Sequence, residues 1–295
     1  MYKFLQTGAV LAYVLLTCCC FLFALALSGV YISWLTFCTA MTGWALFCFS
    51  SVYICTPLSL FFYGHIRLPV LEEEKRLRDC LVSVMKNTGC QKKFGLRIAE
   101  SDAPEAFASG GNVIAISKPL MNELTDDELK GVLAHELGHL MSGDLMVSGA
   151  FATAGLLPAA VYRLVFLISV VLRKMILFVP LIGLLLLAIF IFFLFFKPLF
   201  LMPVIAAGLF LMTFFVLNRL FHWLRLALSR QCEYRQDVYA HKLGHGAGLR
   251  DALKKIAKME QQRVNVYFTL MYGSRPVIYN RIRRLEVLEG MRDEY

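Results

Sequence analysis

Charge is what this chain lacks over most of its length. Between Lys3 and Arg67 lie 63 positions with no Asp, Glu, Lys or Arg, and between Asp144 and Glu233 lie 88 with no acid. Tracts of that kind exclude an ordinary water-soluble domain, whose surface helices need a polar face. No two of the 9 cysteines have C-x-x-C spacing, so a cysteine zinc site and a disulfide framework are both unsupported. Cys18, Cys19, Cys20, Cys38, Cys48 and Cys55 lie in apolar runs, where a thiol serves as a small hydrophobe. A cleaved signal peptide is disfavoured, because the first apolar run far exceeds the ~7–15 residues of such a region. The net charge of +9 is spread around apolar tracts rather than gathered in a patch, which argues for membrane topology and against nucleic acid.

What is present is hydrophobic: 58% of residues, with mean hydropathy +0.63. One membrane span needs ~20 residues. The first tract therefore holds two spans, near 4–27 and 30–53, with a turn at Ser28-Gly29. Pro57 breaks the pattern, and Phe61-Phe62-Tyr63 reads as an interfacial belt. The second tract divides into pieces at 145–172, 175–196 and 198–217, the last two joined at Lys197-Pro198. The expected architecture is a mainly α membrane protein with a small β-sheet, carrying four transmembrane helices in two hairpins. Its expected parts are an N-terminal hairpin (1–63), a catalytic segment (64–144), a membrane-associated helix plus second hairpin (145–218) and a second catalytic segment (219–295).

The polar segments supply the chemistry. An amphipathic helix is expected from Leu71 to about Lys86, with Leu77, Leu81 and Val84 on one face. Phe94 to Glu100 is strand-like. Ala106-Phe107-Ala108, Gly110-Gly111-Asn112 and Val113-Ile114-Ala115-Ile116-Ser117 read as strand, turn, strand. Thr125-Asp126-Asp127-Glu128 is a capping box. The helix it starts carries His135-Glu136-Leu137-Gly138-His139. Histidines four apart share a helix face and can grip one zinc, and Glu136 between them can act as a base toward water.

Such a pair demands a third ligand. Glu233, the first acid after the 88-residue gap, is the candidate, and Asp237 one turn later can orient a ligand imidazole. His241 and His245 form a rival pair without a Glu between them and read as surface histidines. If Glu233 meets His135 and His139, the intervening chain crosses the membrane an even number of times. The weakest piece, 145–172, with Arg163 and Pro158, is then expected to lie on the membrane or against other helices. Of 30 Lys and Arg, only Lys197 falls on the far side. The positive-inside rule places the remainder, the site and both termini in the cytoplasm.

Leu133 to His139 with Gly143-Asp144, Pro104 to Ala108, Ser229 to Asp237, and Arg275-Pro276 to Arg281-Ile282 together resemble segments of the HtpX-like integral-membrane zinc metallopeptidases, relatives of the prenyl-protein (CAAX) endopeptidases. Three positions depart from that family's pattern: Glu105 replaces Asn, Gln236 replaces Ala and Arg275 replaces His. The resemblance implies an HExxH zincin-type catalytic domain with one zinc per chain, in a bacterial cell membrane. Its function would be stress-related quality control, cutting membrane or misfolded polypeptides. Selective processing of the prenyl-protein type, or a silent scaffold, are the competing readings. Arg281, Arg275 and Tyr234 are expected to support the transition state, Arg281 either as an oxyanion donor or by pairing with a site carboxylate. Val113, Ile114, Ala115 and Ile116 are expected to form the edge strand that receives an extended substrate.

Overall fold

A computed structural model describes residues 2–27, 31, 33–62, 66–86, 88, 92–109, 112–178, 180–196, 201–261 and 278–290. Its elements are α1 (Tyr2–Leu27), α2 (Trp34–Phe62), β1 (Ile66–Arg67), α3 (Leu71–Lys86), β2 (Gly95–Ala99), β3 (Ala106–Ser109), β4 (Val113–Ser117), α4 (Lys118–Glu123), α5 (Asp126–Ser142), α6 (Asp144–Phe178), α7 (Pro180–Phe196), α8 (Leu201–Lys242), α9 (Gly246–Gln261) and α10 (Ile278–Gly290). The protein is mainly helical with one small mixed sheet.

Two compact units divide the chain, one comprising 1–10, 46–150 and 225–295, the other 11–45 and 151–224. In the first unit the sheet order is β1-β2-β4-β3, with β2 and β4 parallel and the outer pairings antiparallel. Its inward positions, Ile98, Ile114 and Ile116, pack with Leu77 of α3, Leu129, Leu133 and Leu137 of α5, Leu249 of α9 and Leu285 of α10 in one core. The turn into β4 uses Asn112 at φ 58°, a left-handed conformation that Asn tolerates. Helix α5 starts as its sequence requires. The Thr125 hydroxyl accepts from the Glu128 amide, and the Glu128 carboxylate accepts from the Thr125 amide at 2.7 Å.

Helices α5 and α9 meet backbone to backbone. A Cβ on Gly131 would lie 2.2 Å from the Leu249 nitrogen, and one on Gly248 would lie 2.2 Å from the Asp127 carbonyl oxygen. Only glycine at both positions permits this approach. In the second unit Tyr13 is buried between Phe151 and Phe221, with ring centroids 5.5 and 4.8 Å away, and donates to Asn218 at 2.6 Å. Trp44 donates to the Thr17 hydroxyl at 3.1 Å, tying α2 to α1.

The apolar tracts are helical, but their divisions differ from expectation. Helix α2 runs through Pro57 to Phe62, and α6 continues to Phe178 rather than ending near 172. Helix α8 carries the last apolar piece and the Glu233 segment as one 42-residue helix. Lys197-Pro198 lies outside the described residues. Among the described residues no helix is long and apolar enough to cross a membrane, so four spanning helices are not supported here.

Candidate metal centre

Three elements of the first unit converge on one point. Helix α5 contributes His135, Glu136 and His139, α8 contributes Glu233 and Asp237, and α10 contributes Arg281. One ligand atom from each of His135, His139 and Glu233 lies within 4.8 Å of the others. Among the described residues this is the one group of three or more with that property. His135 Nε2 stands 3.5 Å from Glu233 Oε2, and His139 Nε2 stands 3.6 Å from Glu233 Oε1. The imidazoles are edge to face, centroids 5.0 Å apart. The other side of His135 is held by Asp237, with Nδ1 3.0 Å from Oδ1. That leaves Nε2 turned toward Glu233, the orientation an outer carboxylate imposes on a metal-binding imidazole.

Arg281 locks the carboxylates. Its Nε and Nη2 donate to the two oxygens of Asp237 at 2.9 and 2.6 Å, and Nη1 reaches Glu233 Oε2 at 3.1 Å. Its Nη2 also lies 3.3 Å from both ring nitrogens of His135. Each of the three guanidinium nitrogens thus meets a carboxylate of the site, Nε and Nη2 on Asp237 and Nη1 on Glu233.

These groups are buried together, so their charges set one another's protonation. Burial pushes the Glu233 carboxyl up, but hydrogen bonds from His135 and His139 and the charge of Arg281 hold it well below the usual carboxylate range. Burial likewise opposes ionisation of Asp237, yet Arg281 and His135 bring it down to about 2. For His135, burial and Arg281 disfavour the cation, while Asp237 and Glu233 outweigh them and raise it to about 9. Two imidazoles and a carboxylate make a suitable donor set for zinc, with the three-protein-ligand count that leaves a position open. The residues present therefore fit the ion.

Glu136 is 7% exposed; among the described residues its carboxylate makes no hydrogen bond or close ion pair, and its charge is felt by Arg281. Tyr234 is half-buried beneath Arg284, whose Cζ lies 4.2 Å from the ring centroid, and no described contact brings it to the histidines. Arg275 lies outside the described residues. His241 and His245 are half-buried rather than on the surface, and they do not share a helix face. Helix α8 ends at Lys242, and the chain turns at Gly244 with φ 85°.

The substrate edge needs correction. Val113, Ile114, Ala115 and Ile116 form β4, which is inside the sheet, paired with β2 on one side and β3 on the other. The edge next to α5 is β3. Ser117 donates its N–H to the Glu105 carbonyl at 2.9 Å, and the register pairs Phe107 with Ala115. Antiparallel alternation then turns the backbone N–H and C=O of Ala106 and Ala108 outward.

Residues given no role by the sequence join the α5–α6 corner to α8. Asp144, 5% exposed, accepts from Arg235 at 2.9 Å and from Gln236 at 2.6 Å. A signal existed: Asp144 is the last acid before the 88-residue gap, as Glu233 is the first after it.

The family model described as Peptidase family M48 matches residues 72–289, which include every residue of this centre. The chain is similar to a protease HtpX homolog of Persephonella marina, at 36% identity over 88 residues, covering 28% of this chain and 30% of that one. It is also similar to homologs from a Sulfurihydrogenibium species (33% over 111 residues; 36% and 37%) and from Syntrophobacter fumaroxidans (51% over 55; 17% and 20%). The matched segments thus span between 20% and 37% of these curated relatives. The chain is also similar to a crystal structure of S. mikatae Ste24p, at 18% identity and a TM-score of 0.42, covering 90% of this chain and 66% of that one.

Proposed function

The chain belongs to peptidase family M48, and on that premise we propose that it is a zinc-dependent endopeptidase held in a lipid bilayer, cutting membrane or misfolded proteins at the cytoplasmic face. The observation that carries this reading is the convergence of His135, His139 and Glu233 within 4.8 Å, with Glu136 between the two histidines on α5. His135, His139 and Glu233 would hold the ion. Bound there, zinc would supply Lewis-acid polarisation of the scissile carbonyl and acidification of water.

The chain's own residues do the rest. Glu136 takes the proton of the attacking water and returns it to the leaving amine. Asp237 fixes the orientation of His135 through Nδ1, and Arg281 keeps both Asp237 and Glu233 ionised in a buried setting. An extended substrate adds to the outward groups of Ala106 and Ala108 on β3. Pairing of that kind reads backbone more than side chains, which suits a protease acting on many misfolded chains. Tyr234 is not given a part.

The membrane reading rests on the 63-position uncharged tract, the 88-residue acid-free tract and the placement of all Lys and Arg but Lys197 on one side. It assigns four crossings in two hairpins, with both termini and the metal centre inside. A reporter fused after Lys197 should be active on the outer face; cytoplasmic activity would refute this topology.

The function is tested by measuring bound zinc and casein cleavage for the parent and Glu136→Gln. The variant should keep its zinc and lose cleavage by ~10²-fold or more. Equal cleavage by both would sink the mechanism.

A further inference from the structure

Glu233 must be held in register against two histidines on another helix, and neither histidine does this covalently. The fixing point lies one turn away on both helices. Gln236, three residues after Glu233, is 3% exposed. Its amide nitrogen donates to Asp144 Oδ2 at 2.6 Å and to the Ser142 hydroxyl at 3.1 Å. That hydroxyl in turn donates to the His139 carbonyl at 3.2 Å. The amide oxygen occupies the space that a side chain on Gly138 would need, 2.4 Å from the position of its Cβ. Gly138 lies between the two histidines, so the absence of a side chain there makes the slot that Gln236 fills. Asp144 is completed from the same helix by Arg235 at 2.9 Å.

Resting on the zinc-peptidase reading above, we propose that Gln236 is a positioning residue: seated in the Gly138 slot and hydrogen-bonded to Asp144 and Ser142, it sets the distance between Glu233 and the histidine pair. It touches neither metal nor substrate and acts through Glu233. The alternative, that Gln236 merely fills space in the core, makes a different prediction about the metal. Filling requires shape alone; positioning requires the two hydrogen bonds.

The test uses the detergent-solubilised full chain, with Zn2+ affinity from chelator competition, the visible spectrum of bound Co2+, and the unfolding midpoint of the metal-free chain. Gly138→Ala should lower Zn2+ affinity at least ~10-fold, because its methyl meets an amide that hydrogen bonds hold in place. Gln236→Ala should lower it ~10-fold, and adding Gly138→Ala to it should cost under ~3-fold more, since the 2.4 Å contact is gone and only the edge of the Tyr239 ring, 3.0 Å away, remains. Gln236→Met keeps the shape and removes the hydrogen bonds; it should alter the Co2+ spectrum. Equal costs of Gly138→Ala in both backgrounds, or a parent-like Co2+ spectrum and Zn2+ affinity in Gln236→Met, would overturn the proposal. A parent that takes up no zinc refutes the metal reading itself. The contact between positions 138 and 236 is then judged from the metal-free midpoints, where additive effects overturn it and coupled effects uphold it.

Discussion

The crossing of α5 and α9 allows a worked stability test. In Gly131→Ala the new methyl would sit 2.2 Å from the Leu249 nitrogen, 2.6 Å from the Gly248 carbonyl carbon and 2.7 Å from Leu249 Cα. Contact between such atoms is comfortable only at ~3.5–4.0 Å, so the helices must part by roughly 1 Å. Overpacking that side chains can absorb costs ~1–3 kcal/mol. Here the obstructing atoms are backbone and cannot rotate away, which puts the cost at the upper end. Alanine regains ~1 kcal/mol of helix propensity over glycine. The net is a loss of ~2 kcal/mol, which for a chain of this size lowers the unfolding midpoint by ~4–8 °C. Gly43→Ala, in α2, is the control: nothing lies within 4 Å of its Cβ, so the propensity gain stands alone and the midpoint should hold or rise. The assay is thermal unfolding of both variants and parent, metal-free, at one scan rate. Gly131 is one turn before His135, so Zn2+ affinity should also drop. A Gly131→Ala midpoint at or above the parent's would refute the backbone contact.

Other perturbations separate the roles of named residues. Glu233→Ala should abolish stoichiometric zinc, measured by metal analysis after gel filtration, whereas His241→Ala should retain it. Ala108→Pro removes an outward N–H from β3 without touching the bonds to β4, so KM for casein should rise ~3–10-fold, the worth of one hydrogen bond, with kcat and unfolding little changed. Phe107→Pro removes a bond that faces β4 and should destabilise the fold instead. Burial opposes ionisation of Glu128, but its hydrogen bonds with Lys255 and Thr125 prevail and hold the carboxyl below its usual range. Its contribution to stability is therefore complete above the unfolded value of ~4.3 and is lost as pH falls through the lower folded value. Acid unfolding followed by circular dichroism should show a shallower pH dependence in that window for Glu128→Gln.

Local chemistry was legible in the chain. The Thr125–Glu128 box marks the start of α5 because capping is satisfied within four residues. The amphipathic stripe of Leu77, Leu81 and Val84 outlines α3, and the turn residues before Val113 delimit β3 and β4. Gly131 and Gly138 gave no comparable signal. A missing side chain says nothing of the neighbour that takes its place, and the two sites are filled by different things: the α9 backbone at Gly131, and the amide of Gln236 with the edge of the Tyr239 ring at Gly138. The order of the strands was also hidden. Alternation would report which face a strand buries, but neither Ala-Phe-Ala-Ser of β3 nor Val-Ile-Ala-Ile-Ser of β4 alternates apolar with polar residues. Only the parallel pairing of β2 with β4 puts β4 inside and leaves β3 at the edge.

By itself the sequence determined the candidate donors. Two histidines four apart on a capped helix, and an acid standing at the end of an 88-residue acid-free interval, are properties of residue type and spacing. Tertiary structure decided what surrounds them. It placed Asp237 rather than solvent behind His135, and it paired Arg281 with two carboxylates. It also set Gln236 in the space left by Gly138. Helical periodicity fixes which side chains share a face within one element, whereas contacts between α5, α8 and α10 depend on how closely their backbones pack, and that distance is written in no single segment.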